Sequence, residues 1–208
     1  MDTFIKKCGR SIHRGGRKMT KKIINVKPIK NKQVLNEFAE EISKTKHGQR
    51  NLLILKIGIL TGLRISDILN LKVSDVKNKV TTDIIEIKTG KKRQLVLKQL
   101  TSDIILYLEN YHDGVSEWLF YAPKDNSRQL SKHQYYKILV KVADQLELDY
   151  VGTHTLRKTF AYHYYQKTRN LTTLMKILNH SSQSVTLRYI DIEQEEINAT
   201  LDNFNPLM

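Results

Sequence analysis

Apolar residues along the chain recur at helical spacing in most segments and alternate with polar ones in a single stretch near the middle. Val34, Leu35, Phe38, Ala39 and Ile42 predict a helix from about Lys32 to Thr45, with Asn31 as its cap. Lys46-His47-Gly48 reads as a loop. Leu52, Leu53, Leu55, Ile57, Ile59 and Leu60 predict a second helix from Asn51 to about Leu60, ended by Thr61-Gly62. A short helix capped by Ser66 then buries Ile65, Ile68, Leu69 and Leu71, and Arg64 falls at the junction. Residues 83–97 turn β-branched and partly alternating, which predicts a β-hairpin turning at Thr89-Gly90-Lys91-Lys92.

Further on, residues 101–111 predict a helix capped by Thr101 or Ser102, with Ile104, Ile105, Leu108 and Tyr111 on one side. Asp113-Gly114 turns the chain, Trp118-Leu119-Phe120-Tyr121 reads as core, and Pro123 to Arg128 as loop. Ser131 caps a helix to about Leu146, with Tyr135, Ile138, Leu139 and Val142 inward. Thr153 caps another through about Lys167, burying Leu156, Phe160 and Tyr164 while His154 and Arg157 share a different side. Leu171, Leu174, Met175 and Leu178 define a helix that presents His180 at its end. Ser182 to Ile190 carries Tyr189, and Ile190, Ile197, Leu201 and Phe204 fall on one face of the tail. The expected fold class is α+β and mostly helical, with one small hairpin.

Charge adds a partner to this picture. The 208 residues carry 35 Lys and Arg against 21 Asp and Glu, a net of +14, which points to a polyanion: nucleic acid or an acidic membrane surface. Residues 1–32 hold 11 of those cations and one acid, so the excess is concentrated in an amino-terminal arm broken by Gly15-Gly16 and Pro28. That arm is either a flexible leader without a task or an electrostatic strap along a phosphate backbone. One cysteine, Cys8, excludes an internal disulfide and a cysteine-based zinc site and fits a reducing, cytoplasmic setting. No apolar run has the length of a membrane span, and the basic start lacks the apolar stretch of a signal peptide. Nucleotide-binding loops, zinc-protease and calcium motifs are absent from the sequence, so nothing in it calls for a cofactor, while the scattered Asp and Glu leave a two-metal site open.

Candidate chemistry is scattered. Arg64 at its junction fits a rigidly held side chain, or simply a helix-turn-helix. The hairpin tip, with Lys88, Lys91, Lys92 and Arg93, is either a solvated turn or a finger that enters a DNA groove. His154 and Arg157, three apart on a helix, precede His180 by 26 and 23 residues, and Tyr189 follows nine later. Cations and imidazoles converging on a phenol suit an anionic substrate and a nucleophile that needs assistance.

Taken in order, Thr-Gly-Leu-Arg-Ile-Ser-Asp (61–67), Lys-Thr-Gly-Lys-Lys-Arg (88–93), His-Thr-Leu-Arg (154–157), Leu-Asn-His-Ser-Ser (178–182) and Arg188-Tyr189 resemble the tyrosine recombinases of the phage-integrase type, over about residues 33–200. The resemblance implies a site-specific recombinase or integrase of the kind carried by mobile elements. It would break and rejoin double-stranded DNA through a 3′-phosphotyrosyl link, without metal or ATP. Arg64 and Arg157 would clamp the phosphate and His180 would add a donor. Tyr189 would attack, His154 would assist its proton, and Lys88 would protonate the leaving 5′ oxygen. Lys91, Lys92, Arg93 and Lys158, the last where the family often has His, would lie on the DNA. Asp67, where many relatives carry Glu, would brace the helix after Arg64.

The resemblance also implies a catalytic domain over residues 33–208 without the separate amino-terminal DNA-clamping domain that family members usually carry. The tail from Ile190 to Phe204 either docks on a neighbouring protomer or packs on its own domain. A non-catalytic DNA-binding remnant and a relaxing topoisomerase of the same chemistry remain as alternatives.

Overall fold

The structure, a computed structural model, describes residues 26–191. The basic stretch 1–25, Cys8 and the tail beyond Asp191 lie outside the described residues. Residues 26–31, counted with the arm in the sequence, belong to the folded body. Lys27 donates to the Tyr150 carbonyl, Ile29 is fully buried, and the Ile29 amide donates to Thr159 Oγ1 at 2.9 Å.

Helix α1 (Lys32–Ser43) starts where Asn31 Oδ1 accepts from the amides of Gln33 and Val34, and it buries Phe38 and Ile42. Helix α2 (Gly48–Thr61) begins earlier than its apolar pattern suggests, behind His47 in a left-handed conformation. It is buried on nearly every side and packs against α1 and, further along the chain, α5 (Thr101–Asn110) and α7 (Thr155–Thr168). Gly58 makes the α2–α7 approach possible, because a Cβ there would lie 2.8 Å from Leu156. Gly62, at φ 66°, then ends α2 and reverses the chain.

The short helix α3 (Ile65–Leu69) is entered from Arg64 rather than Ser66: the Arg64 carbonyl accepts the amides of Asp67 and Ile68. With five residues and Ile65, Asp67, Ile68 and Leu69 buried, α3 has no free face for a DNA groove, which removes the helix-turn-helix reading. After α4 (Val73–Val76) come β1 (Thr81–Ile85) and β2 (Lys92–Val96), an antiparallel pair with Asp83 opposite Gln94. The predicted hairpin is present, starting two residues earlier than its β-branched core.

Two details of the next segment differ from expectation. Helix α5 is entered from a 3₁₀ turn over Lys98–Leu100 instead of a Thr or Ser cap, and it buries Ile104 and Tyr107 while Ile105 and Tyr111 stay exposed. The expected loop over Pro123–Arg128 is largely a second hairpin, β3 (Tyr121–Ala122) with β4 (Asp125–Gln129). Its strand Asp-Asn-Ser-Arg-Gln is polar and exposed, so no alternation marks it.

Ser131 caps α6 (Lys132–Gln145) through a reciprocal bond with Gln134, as its spacing predicts. Helix α7 starts behind His154 without a side-chain cap, and Thr155 Oγ1 instead accepts from the Gly152 amide. Helices α8 (Leu171–Leu178) and α9 (Gln183–Ile190) are capped by Asn170 and Ser182. The main core runs from Ile29 to Leu156. Ala161, Leu174, Leu178 and Ile190 form a smaller second cluster beside it, joining α7, α8 and α9.

Candidate active site

Two places in the chain supply the arginines of the site. Arg64 follows the reversal at Gly62, and its backbone starts α3, so its side chain is rooted at a fixed point. Arg157 lies in the first turn of α7 and is 2% exposed. Its Nη1 donates to the Gly62 carbonyl at 2.7 Å and its Nη2 to the Leu178 carbonyl at 2.7 Å. These bonds tie the ends of α2 and α8 to α7. They use two of the five guanidinium donors.

The carboxylate of Glu86, which the motif reading did not single out, lies among the arginines. Glu86 Oε2 accepts from Arg64 at 2.9 Å, and Oε1 is 3.4 Å from Arg93 Nη1 and 3.9 Å from Arg157 Nη1. Burial pushes its carboxyl up. The bonds from Arg64 and Thr89 and the charges of Arg64 and Arg157 outweigh that and hold it below the ordinary value. Asp67, also buried, accepts the Ile87 amide at 3.0 Å and lies 3.8 Å from Arg64. Burial dominates there and raises its carboxyl. A signal for Glu86 existed in strand parity: Thr82, Ile84 and Glu86 face one side of the hairpin, the inward one.

Tyr189, near the end of α9, places its hydroxyl in a fully enclosed position with no hydrogen bond of good geometry among the described residues. Burial raises the phenol above its ordinary value, and the charges of Arg157 and Arg64 act against that rise. The His180 ring stands edge-on to the Tyr189 ring with centroids 5.0 Å apart. His180 Nδ1 is 3.0 Å from Thr186 Oγ1, whose own proton goes to the Ser182 carbonyl. A hydroxyl with its proton committed can only accept from the ring, so Nδ1 carries the hydrogen and Nε2 faces outward from that bond. Burial, then Arg157 and Arg64, hold His180 below the usual imidazole value.

His154 and Lys88 are exposed. Partial desolvation first, and then the charges of Lys132, Arg157, Arg64 and Lys88, hold His154 below the usual imidazole value. The four basic residues expected on DNA divide. Lys91 is exposed and donates to Asn179 Oδ1 at 2.9 Å, joining the hairpin tip to the turn before His180. Lys92 is exposed beside Asp83. Arg93 is turned inward onto Glu86 and the Thr61 carbonyl, because a buried carboxylate needs that charge. Lys158 is half-buried with its ammonium 5.3 Å from the centre of the Tyr189 ring. Among the described residues, no group of three or more His, Cys, Asp or Glu is placed to hold a metal ion, and no helix is long and apolar enough to cross a membrane.

The described residues thus form a mostly helical body in which the buried Tyr189 hydroxyl lies within the field of Arg157 and Arg64. Residues 29–196 match the Phage integrase family. The chain is 39% identical over 183 residues to the probable integrase/recombinase YoeC of Bacillus subtilis, covering 88% of this chain and 98% of that protein. It is 30% identical over 166 residues to a tyrosine recombinase of Pseudothermotoga lettingae, covering 77% of this chain but 56% of the longer relative. The XerH site-specific recombinase, solved bound to palindromic difH substrate after cleavage, superposes with a TM-score of 0.67 at 25% identity, over 83% of this chain and 51% of that one. The chain belongs to the phage integrase family of site-specific recombinases.

Proposed function

We propose that this protein breaks and rejoins double-stranded DNA at specific sites, using Tyr189 as the nucleophile and Arg64, Arg157 and His180 as the phosphate-binding set. The observation that carries the reading is the enclosed Tyr189 hydroxyl within the field of Arg157 and Arg64. A phosphodiester repels nucleophiles, and its transition state gathers charge on the nonbridging oxygens. Guanidinium donors aimed at those oxygens bind the transition state more strongly than the ground state. His180 adds a donor from Nε2 when its ring is protonated.

Attack by the Tyr189 oxygen forms a 3′-phosphotyrosyl bond as the bond to the 5′ oxygen breaks. The phenol proton leaves to His154 or to water, and the departing oxygen takes a proton from Lys88. The link conserves the ester, so a 5′ hydroxyl from another strand reverses the step and no ATP is consumed. None of these steps uses a metal. Lys91 and Lys92 are exposed at the hairpin turn and suit contact with the DNA backbone. The tail beyond Asp191 is proposed as the segment through which protomers assemble on DNA.

The relatives named integrase or recombinase, and the DNA-bound XerH complex, support DNA as the partner. The intact set of Arg64, Lys88, Arg157 and Tyr189 argues against a remnant that binds without turnover. The test is incubation with nicked duplexes carrying candidate sites, in the presence of chelator. A covalent protein–DNA species is expected, and it is lost in Tyr189→Phe. An adduct that survives that substitution contradicts the assignment.

A further inference from the structure

Glu86 takes no part in the steps above, yet it is 1% exposed and meets the site on several sides. Besides its contacts with Arg64, Arg93 and Arg157, Oε2 accepts from Thr89 Oγ1 at 2.9 Å. Its backbone closes the hairpin tip: the amide donates to the Lys91 carbonyl at 3.0 Å, and the carbonyl accepts from Gly90 at 2.8 Å. Lys88 lies inside that closed turn. One residue thus joins the arginines to the finger bearing the expected proton donor.

The physical need for it is clear. Guanidiniums gathered to face one phosphate repel each other when the phosphate is absent, and more strongly where water is excluded. A buried carboxylate between them cancels part of that repulsion. It also fixes one donor of Arg64 and leaves four for the substrate.

We propose that Glu86 is a positioning residue of the phosphodiester site, holding Arg64 in register with Arg157 and fixing the turn that carries Lys88. This rests on the recombinase reading of the same site. A residue that only fills space or balances charge would affect folding; a positioning residue affects the chemical step more than binding.

Glu86→Gln separates these. It keeps the shape, removes the charge, and turns one acceptor oxygen into a donor facing other donors. Binding to a nicked duplex should be as tight as in the wild type or tighter, because the site loses a negative charge. Single-turnover cleavage should fall by about tenfold or more. Glu86→Asp should recover part of that loss. Cleavage at the wild-type rate overturns the proposal, as does a parallel fall in binding, cleavage and Tm.

If Glu86→Gln does not fold, Thr89→Val removes one bond to Oε2 from an exposed position. A selective loss of cleavage then supports the proposal, and wild-type cleavage overturns it. A wild-type protein that forms no adduct would count against the recombinase reading instead. In that event the side-chain N–H signals of Arg64 and Arg157 by NMR still decide. They should be sharp in the wild type and broadened in Glu86→Gln, and unchanged signals overturn the proposal.

Discussion

His180 shows how a single hydrogen bond sets a role. Thr186, fully buried, spends its proton on Ser182 and so receives the Nδ1 hydrogen of His180. Donation to a phosphate through Nε2 then requires the imidazolium. The free protein holds this ring below its ordinary pKa, so binding through His180 draws in a proton. The sign follows: this part of the affinity is present at low pH and lost as pH rises through the value in the complex. DNA affinity measured between about pH 5 and pH 8 should weaken with rising pH, more so in the wild type than in His180→Gln. Equal slopes would remove His180 from the phosphate. At this scale, Arg64, Arg157, His180 and Tyr189 were legible as motif residues. Glu86 and Thr186 were not: strand parity marks Glu86 only as inward-facing, and the importance of both comes from what they touch across the fold.

Helix α9 carries Tyr189, the proposed nucleophile, and lies on the smaller of the two core clusters. Its apolar anchor is the small cluster of Ala161, Leu174, Leu178 and Ile190, separate from the main core. Leu174 is fully buried there, so Leu174→Ala should cost about 2–5 kcal/mol in chemical denaturation and lower the cleavage rate by loosening α9. An unaltered midpoint would mean the cluster contributes nothing to stability. Most helices were legible as elements because their apolar periods are long or their caps strong, as with Asn31 and Ser131. The β3–β4 hairpin was not, since its second strand is exposed and polar. The starts of α3 and α5 were misplaced because the backbone of Arg64 and a 3₁₀ turn, rather than side-chain caps, begin those helices.

Across the whole molecule, the basic excess is uneven, and residues 1–25 hold eight Lys and Arg with one acid. If that stretch lies along the DNA backbone, its removal should flatten the dependence of log affinity on log salt. The slope would change by about 0.9 for each phosphate that the stretch neutralises. An unchanged slope would show that the stretch does not touch DNA. The proposed reaction, however, turns on one oxygen atom. The most direct measurement is to trap the adduct on a nicked duplex in chelator, digest it, and map the nucleotide-bearing peptide by mass spectrometry. A nucleotide esterified through its 3′ phosphate to Tyr189 is expected, with a free 5′ hydroxyl on the released strand. A nucleotide on any other residue, or a 5′ linkage, would contradict it.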